Sequence, residues 1–351
     1  MSGGVDSSVA AALLARQGHD VIGLSMQLYD QSGGETKFGS CCTLDDLYDA
    51  RRVAAQLGIP HYIVNFEQKF NETVVSDFVR EYAAGRTPIP CVHCNGDLKF
   101  ATLVERAASF DAQFVATGHY ARVDTDPTTG LRRLLRGVDA NKDQSYFLFT
   151  LTQAQLAHAV FPVGELDKPA VREQARALGL GVADKRDSHE ICFVADGKHA
   201  EFLEGRGIVR SEGVIRNVHG AAVGRHEGVH RFTVGQRKGL GLSSPIPLYV
   251  VGIDAEANAV TVGPRDALER AEVSASGVNW IAGTPPPAGS RVTAQIRHRH
   301  REAAGTIHLA DEDRVHLVFD EPQSAVAPGQ ALVMYRGAEV VGGGWIDGAA
   351  A

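Results

Sequence analysis

The chain has 351 residues, of which 44% are hydrophobic, 22% charged and 7% aromatic. This globular composition excludes disordered, collagen-like and disulfide-scaffold classes, and the length suits about two to three domains of roughly 150 residues each. With 35 Lys plus Arg against 42 Asp plus Glu the formal net charge is -7, which argues against a general nucleic-acid coat but leaves room for a local basic face.

From the N-terminus, Ser2-Gly3-Gly4-Val5-Asp6-Ser7-Ser8 precedes a helix carrying Val9, Ala12 and Leu13. The run from Val21 to Met26 reads as a buried strand, Leu47, Ala50, Ala54 and Leu57 as a helix capped by Thr43, and His61 to Phe66 as the next strand. Phe100, Leu103, Val104, Ala107 and Ala108 keep the i, i+3, i+4, i+7, i+8 spacing of an amphipathic helix, with Phe114 to Thr117 as a following strand. Strand alternating with helix predicts a parallel sheet covered on both faces. Beyond about residue 200 the texture turns β-rich: Leu248 to Ile253, Ala259 to Val262, Arg314 to Phe319 and Ala331 to Tyr335 predict short strands of small barrels, with a surface turn at Pro285-Pro286-Pro287. The expected organisation is α/β: a parallel-sheet domain over 1–198, a small β-rich domain over 199–268 and a barrel-like domain over 269–351.

No run approaches the roughly 18–20 apolar residues of a membrane span, and the first residues lack the basic start and apolar core of a secretory signal. The expectation is a cytoplasmic protein without a membrane partner. The 5 cysteines are then reactive, metal-binding or buried rather than structural staples.

The first loop is a phosphate cradle. Its two glycines let the backbone approach an anion, the serines add donors, and the following helix N-terminus supplies unpaired N–H groups and a favourable dipole. It lacks the Gly-Lys-Ser/Thr ending of a Walker A loop and is not a Rossmann fingerprint. A loop of this kind follows the C-terminal end of a strand, so the sequence predicts a strand of about five or six apolar residues ahead of Met1, of the length usual for strands.

The string SGGVDS resembles the PP-loop of ATP pyrophosphatases, which cleave ATP between the α and β phosphates. Further motifs narrow the resemblance: Gly85 to Asn95 (GRTPIPCVHCN), Ala116 to Tyr120 (ATGHY), Asn141 to Leu148 (NKDQSYFL), Phe161 to Leu166 (FPVGEL), Ile191-Cys192-Phe193 and Gly235 to Gly241 (GQRKGLG). Together they are similar to the tRNA-specific 2-thiouridylase (MnmA) family over essentially the whole chain. The resemblance implies an ATP- and Mg²⁺-dependent 2-thiolation of the wobble uridine of tRNA, with sulfur supplied by an upstream donor such as a cysteine desulfurase or a sulfur-relay protein. Met1, Ser2, Gly3, Gly4, Val5, Asp6 and Ser7 would hold the nucleotide with Met26 and Gly118 beside it, Asp6 acting as a loop-organising or Mg²⁺-linked carboxylate.

By the same resemblance Cys192 would carry a persulfide and Cys94 would be the nucleophile that resolves the resulting disulfide. Cys41 and Cys42, before a helix, suit structural or weak redox roles better than catalysis. Cys91 departs from the pattern, because some members carry Asp there. Cys91, Cys94 and Cys192 also suit three irons of a [4Fe–4S] cluster with the fourth iron open, an alternative to thiol chemistry alone. Zinc competes less well, because a closed site needs four ligands and the only obvious fourth is a histidine.

For the RNA, the resemblance points to Ile89, Pro90, Cys91, His119, Lys142, Asp143, Gln144, Arg297, His298 and Gln330, with Tyr in place of His298 in some members. The residues add a reading of their own. Arg297-His298-Arg299-His300-Arg301 lies on a β-like segment, where alternation would direct its arginines to one face as a phosphate stripe. Arg132-Arg133, Lys185-Arg186, Arg231 and Arg237-Lys238 are further cationic candidates. Competing functions are another PP-loop synthetase, which needs no paired cysteines, and a non-catalytic RNA-binding or metal-sensing protein with a vestigial ATP loop.

Overall fold

The structure, a computed structural model, describes residues 1–28, 43–187, 191–194 and 198–349. Cys41 and Cys42 lie outside the described residues. Two compact units divide the chain: Met1–Val74 with Cys91–Gly197 and Ala338–Val340, and Val75–Pro90 with Lys198–Gly337 and Val341–Ala351.

The first unit opens with α1 (Val5–Arg16), β1 (Gly23–Gln27), α2 (Leu44–Leu57) and β2 (His61–Asn65). β1 and β2 run parallel in register from Gly23 opposite His61 to Gln27 opposite Asn65. α2 starts where the sequence predicts, because Thr43 accepts from the Asp46 N–H while Asp46 reaches back to the Thr43 N–H, a reciprocal capping box. Gly58 ends it in the left-handed region at φ 68. The short α3 (Glu67–Phe70) is followed, outside this unit, by α4 (Ser76–Ala83). α5 (Pro90–His93) and α6 (Ala101–Ser109) flank a π-helical stretch at Cys94–Phe100. Then come β3 (Val115–Ala116), β4 (Ala121–Thr125), β5 (Arg132–Arg136), α7 (Gln153–His158), β6 (Ala159–Val160) and α8 (Lys168–Ala177), with β3 and β6 a second parallel pair. Val5 and Val9 of α1 pack with Val53 of α2 and Val171 and Ala175 of α8, all 3% exposed or less. Each such valine stabilises the unit by about 1.5–3 kcal/mol relative to exposure, and the cluster fixes the phosphate loop at the head of α1.

In the second unit α9 (His199–Gly205) precedes a four-stranded sheet in the order β8-β7-β10-β9, built from β7 (Gly213–Asn217), β8 (Ala222–His226), β9 (Tyr249–Asp254) and β10 (Ala259–Gly263). Ile215, Val250, Val260 and Val262 form its fully buried centre. β11 (Glu269–Trp280), β12 (Arg291–Gln295), β13 (Ala303–Ala310), β14 (Arg314–Ser324), β15 (Ala331–Arg336) and β16 (Glu339–Gly348) follow in the order β11-β14-β13-β12-β15-β16, and pairing of β11 with β16 closes a six-stranded barrel. Along β14 the inward Val315, Leu317 and Phe319 alternate with more exposed neighbours, as the pleat demands. The N-terminal α/β architecture followed by small β-rich barrels agrees with the sequence reading.

One expectation fails here. Arg297 to Arg301 is not a strand: β12 ends at Gln295, the His300 N–H donates to the Arg297 carbonyl at 3.1 Å, and Arg299 sits at φ 61. A tight turn with a left-handed residue has no two-residue alternation, so the three arginines do not form a one-faced stripe. Arg297 is half-buried and donates to the Ser324 carbonyl at 3.1 Å, while His298, Arg299 and Arg301 are exposed.

Candidate active site

The phosphate loop is closed on itself before any ligand is considered. Ser7 Oγ accepts from the Ser2 N–H at 3.1 Å and lies 3.1 Å from Ser2 Oγ, while Ser8 Oγ donates to the Gly4 carbonyl at 2.8 Å. Gly4 caps α1 without a side-chain hydrogen bond, so the first N–H groups of the helix remain available to an anion. Gly3 adopts φ 72, and a Cβ there would stand 2.1 Å from the Asp46 carbonyl oxygen. Gly118 presses on the loop in turn, since its Cβ would lie 2.6 Å from the Ser7 N. Met1 runs beside β1, its amino group on the Leu24 carbonyl and its own carbonyl accepting from Ser25 Oγ at 2.5 Å, while Met26 is buried within that strand. The nucleotide candidates from Met1 to Ser7 thus share one loop with Gly118 packed on it. Bare helix N–H groups and two serine hydroxyls form a donor set that fits phosphate oxygens.

Asp6 is held by residues that the sequence reading missed. Lys168 Nζ donates to both Asp6 oxygens at 2.8 Å and the Tyr120 hydroxyl donates to Oδ1 at 2.7 Å. Lys168 also pairs with Asp187 at 2.8 Å, and Asp187 receives Lys142 at 2.6 Å and Arg172 at 3.0 Å. Burial pushes the Asp187 carboxyl up, but hydrogen bonds and charge from Lys142 and Lys168 outweigh it and hold it down at about 2. Burial and the Asp6 carboxylate both push the Tyr120 phenol well above its ordinary value, so it remains a donor. Asp6 therefore organises the loop. With both its oxygens on Lys168, and no group of three or more His, Cys, Asp or Glu poised for a metal among the described residues, these residues do not fit a protein-built Mg²⁺ site. Lys185, expected to meet RNA, instead clamps the loop: its ammonium donates to the Gly3 carbonyl at 3.0 Å, Asp46 at 2.6 Å and Asp49 at 2.5 Å. Burial alone would lower its pKa, and the two carboxylates raise it beyond the ordinary lysine value.

Lys142, Asp143 and Gln144 follow β5 and meet this network. The Asp143 side chain is 7% exposed and takes the Gly137 N–H at 3.0 Å, the Ser145 hydroxyl at 2.9 Å and Arg136 at 3.0 Å. Gln144 Oε1 accepts from the Tyr120 N–H at 3.0 Å. His119 hydrogen-bonds Thr117 Oγ1 at 2.8 Å with Phe100 and Phe161 rings around it. Burial, with the nearby Lys99 charge, pushes its pKa down to about 3, so the imidazole is neutral at physiological pH. In the second unit Ile89 and Pro90 are buried, and Gln330 Nε2 donates to the Thr87 carbonyl at 2.9 Å. Of the other cationic candidates, Arg133 is paired with Asp124 and Arg231 with Glu204.

Cys94 opens the π-helical turn and is 8% exposed, whereas Cys91 is exposed and Cys192 half-buried. The wide turn passes close to residue 150: a Cβ on Gly96 would be 2.4 Å from Thr150 Oγ1, so a larger residue would require Thr150 to shift. Asn95 accepts from Lys99 Nζ at 3.0 Å, one turn along. π-helical turns concentrate at functional sites, and this one begins at Cys94. Phe193, next to Cys192, packs edge-on to Phe70 at 5.5 Å. The described residues do not gather Cys91, Cys94 and Cys192 as a metal-ligand group, so the [4Fe–4S] alternative has no geometric support.

Family profiles match in the same order along the chain: a tRNA methyl transferase HUP domain over residues 1–196, a tRNA methyl transferase PRC-barrel domain over 200–264 and an aminomethyltransferase beta-barrel domain over 270–346. A protein named tRNA-specific 2-thiouridylase MnmA from Solibacter usitatus is 53% identical, the match covering 99% of this chain and 98% of that one. Namesakes from Geobacter metallireducens and Geotalea uraniireducens are 51% and 52% identical, each over 99% of this chain and 96% and 93% of their own. The chain belongs to the tRNA-specific 2-thiouridylase family. The α/β part and the two β-rich parts follow in the order that the sequence predicts, and the Lys168–Asp187 charge network is the feature that the sequence motifs did not announce. The motif FPVGEL ends two residues before Lys168 and was the nearest signal.

Proposed function

We propose that the chain is a tRNA-uridine 2-sulfurtransferase that uses ATP to thiolate the wobble uridine. The observation that carries this is full-length likeness, at 53% identity, to a protein named for that activity. The methyl transferase wording of the family profiles is outweighed by those full-length names and by a phosphate loop joined to two motif-borne cysteines. In this reading residues 1–198 form the catalytic domain, 199–268 a central domain and 269–351 an RNA-contacting barrel.

The need for ATP follows from the substrate. The C2 oxygen of uridine is a poor leaving group, and its attack on the α-phosphate expels pyrophosphate and makes that oxygen part of AMP. The loop from Ser2 to Ser7 and the α1 N-terminus orient the phosphates, and Mg²⁺ arrives as the counter-ion of the nucleotide. The terminal sulfur of a Cys192 persulfide then attacks C2 and AMP leaves, giving a base–S–S–Cys192 disulfide. Cys94 thiolate attacks the Cys192 sulfur, releasing 2-thiouridine and leaving a Cys94–Cys192 disulfide that a dithiol reductant must reopen. A persulfide-bearing donor protein reloads Cys192, and the cycle suits a reducing cytoplasm. Neutral His119, Lys142, Arg297, His298 and Gln330 serve the RNA. Asp143 and Gln144, next to Lys142 in the chain, are anchored by Arg136 and Ser145 and by the Tyr120 N–H.

The test is nucleoside mass spectrometry of tRNA incubated with the protein, ATP, Mg²⁺ and a persulfide donor. One 2-thiouridine per substrate tRNA with equivalent AMP release supports the reading. RNA binding without either product would assign a non-catalytic role.

A further inference from the structure

We propose that the loop Arg237–Leu248 on the four-stranded β domain is a second docking surface for the sugar-phosphate backbone of the RNA. The proposal rests on the tRNA reading above and assigns a part of the chain that the reading leaves idle. The loop is built to stand out. Its neck is tied by the Gly235 N–H on the Val250 carbonyl at 2.8 Å and the Val250 N–H on the Gln236 carbonyl at 2.9 Å. The Gln236 side chain braces it from inside, accepting from the Thr233 N–H and donating to the Lys238 carbonyl, both at 3.0 Å. Such a compact loop with pinned ends is an Ω-loop, a form that is frequently functional.

Its glycines are not there for packing. Gly239 and Gly241 sit at φ 75 and φ 66, yet a Cβ on Gly241 would meet nothing within 4 Å and one on Gly239 only the Gln236 amide at 3.8 Å. They bend the chain through the left-handed region and leave bare backbone at the surface, the form in which successive N–H groups receive anions. The loop encloses an open cleft of about 670 Å³ lined by Arg237, Ser243 and Ser244 among others.

The charge is one-sided. Residues 229–253 contain no Asp or Glu, in a chain whose net charge is -7. Arg237 and Lys238 are exposed and form no ion pair among the described residues, whereas Arg231, Arg291 and Lys185 are each matched to a carboxylate. Two exposed uncompensated cations beside hydroxyls and bare glycine backbone suit phosphodiesters. The loop is also continuous with the barrel turn that carries Arg297 and His298. Gly235 at its neck packs on Ala325, where an added Cβ would lie 2.8 Å away, and the adjoining Ser324 carbonyl is the acceptor for Arg297. One segment, residues 324–325, thus supports both cationic features.

The experiment measures binding of substrate tRNA over a range of KCl concentrations for the unaltered chain and for the double variant Arg237→Ala, Lys238→Ala. Loss of about two phosphate contacts should weaken binding roughly tenfold at low salt and flatten the slope of log K against log[KCl] by roughly 1.5. Arg237→Lys with Lys238→Arg should restore the slope. In the unaltered protein, bound tRNA should protect the Arg237 and Lys238 peptide bonds from trypsin, a readout that does not depend on how a variant folds. An unchanged slope with tRNA still bound, or cleavage unaffected by tRNA, overturns this surface and leaves the functional reading standing. Failure of the unaltered protein to bind tRNA overturns both. Unchanged tRNA affinity with slower reloading from the persulfide donor reassigns the loop to the donor protein and overturns the RNA proposal.

Discussion

Replacing Lys168 by methionine tests whether the charge network holds the phosphate loop. The Lys168 side chain is 10% exposed and bonds Asp6 and Asp187 at once. Methionine keeps an unbranched apolar stem in the same space, so the loss is of charge and hydrogen bonds rather than packing. Removing one partner from a fully buried pair costs about 3–5 kcal/mol. Here the Asp6 side chain is 30% exposed and Asp187 retains Lys142 and Arg172, so solvent screening and the surviving partners reduce the expected loss to about 2 kcal/mol at neutral pH. The pH dependence has a definite sign. The Asp187 carboxyl is held at about 2 by Lys142 and Lys168 against the opposing effect of burial. A carboxyl depressed in the folded state contributes stability above its unfolded value near 4, and that stability is lost as the pH falls toward 2. The difference between wild type and Lys168→Met is therefore full at pH 7 and shrinks across that acid window. Trp280 and Trp345 both lie in the second unit, so tryptophan fluorescence is the wrong probe. Amide hydrogen exchange of peptides covering α1 and α8, followed through urea steps, reads the first unit directly. A loss below about 0.5 kcal/mol at neutral pH, the range of ordinary surface substitutions, or a difference that persists unchanged at pH 2, would refute the argument.

Gly3→Ala forces a Cβ to within 2.1 Å of the Asp46 carbonyl oxygen at φ 72. It should cost about 1–3 kcal/mol of stability and weaken ATP binding, measured by calorimetry, at least about tenfold; unaltered affinity would place the phosphates elsewhere. With a persulfide donor and aerobically purified protein, Cys94→Ala and Cys192→Ala should yield no 2-thiouridine while Cys91→Ala keeps at least about a tenth of the wild-type rate, a loss of no more than about 1.4 kcal/mol in barrier. Activity that appears only after anaerobic reconstitution with iron and sulfide, with a visible absorption lost in Cys91→Ala, would reverse that order. His119, pushed down to about 3 by burial and Lys99, should show no titration of its ring proton by NMR from pH 8 to about pH 5. Because the folded pKa lies below the unfolded value near 6.5, the native state loses stability as pH falls below 6.5. A midpoint close to 6.5 would show that the ring is solvated.

What could be read from the sequence was local, and what escaped it was long-range. α2 was legible because its cap and its helical repeat lie close together in the chain, from Thr43 to Leu57, and the strands from Tyr249, Ala259, Arg314 and Ala331 were legible because runs of β-branched and aromatic residues announce themselves. The Arg297 segment was misread for a related reason. Alternating Arg and His mimics a two-residue period, but a period in charge says nothing about backbone, and no glycine or proline marks the turn that Arg299 makes at φ 61. The π-helical turn at Cys94 had no sequence sign either, and the neighbour that Gly96 meets there, Thr150, lies far along the chain. The phosphate loop shows the division most sharply. Its glycines and serines were readable as a cradle, yet the groups that hold it are Lys168, 162 residues from Asp6, and Lys185, 182 residues from Gly3. Neither lysine belongs to a periodic pattern or a phosphate motif, and in sequence each is indistinguishable from a solvated surface cation. Only the packing of α1 on α8 turns Lys168 inward, so the apolar contacts of Val5, Val9, Val171 and Ala175 are what convert an ordinary lysine into the counter-ion of the loop.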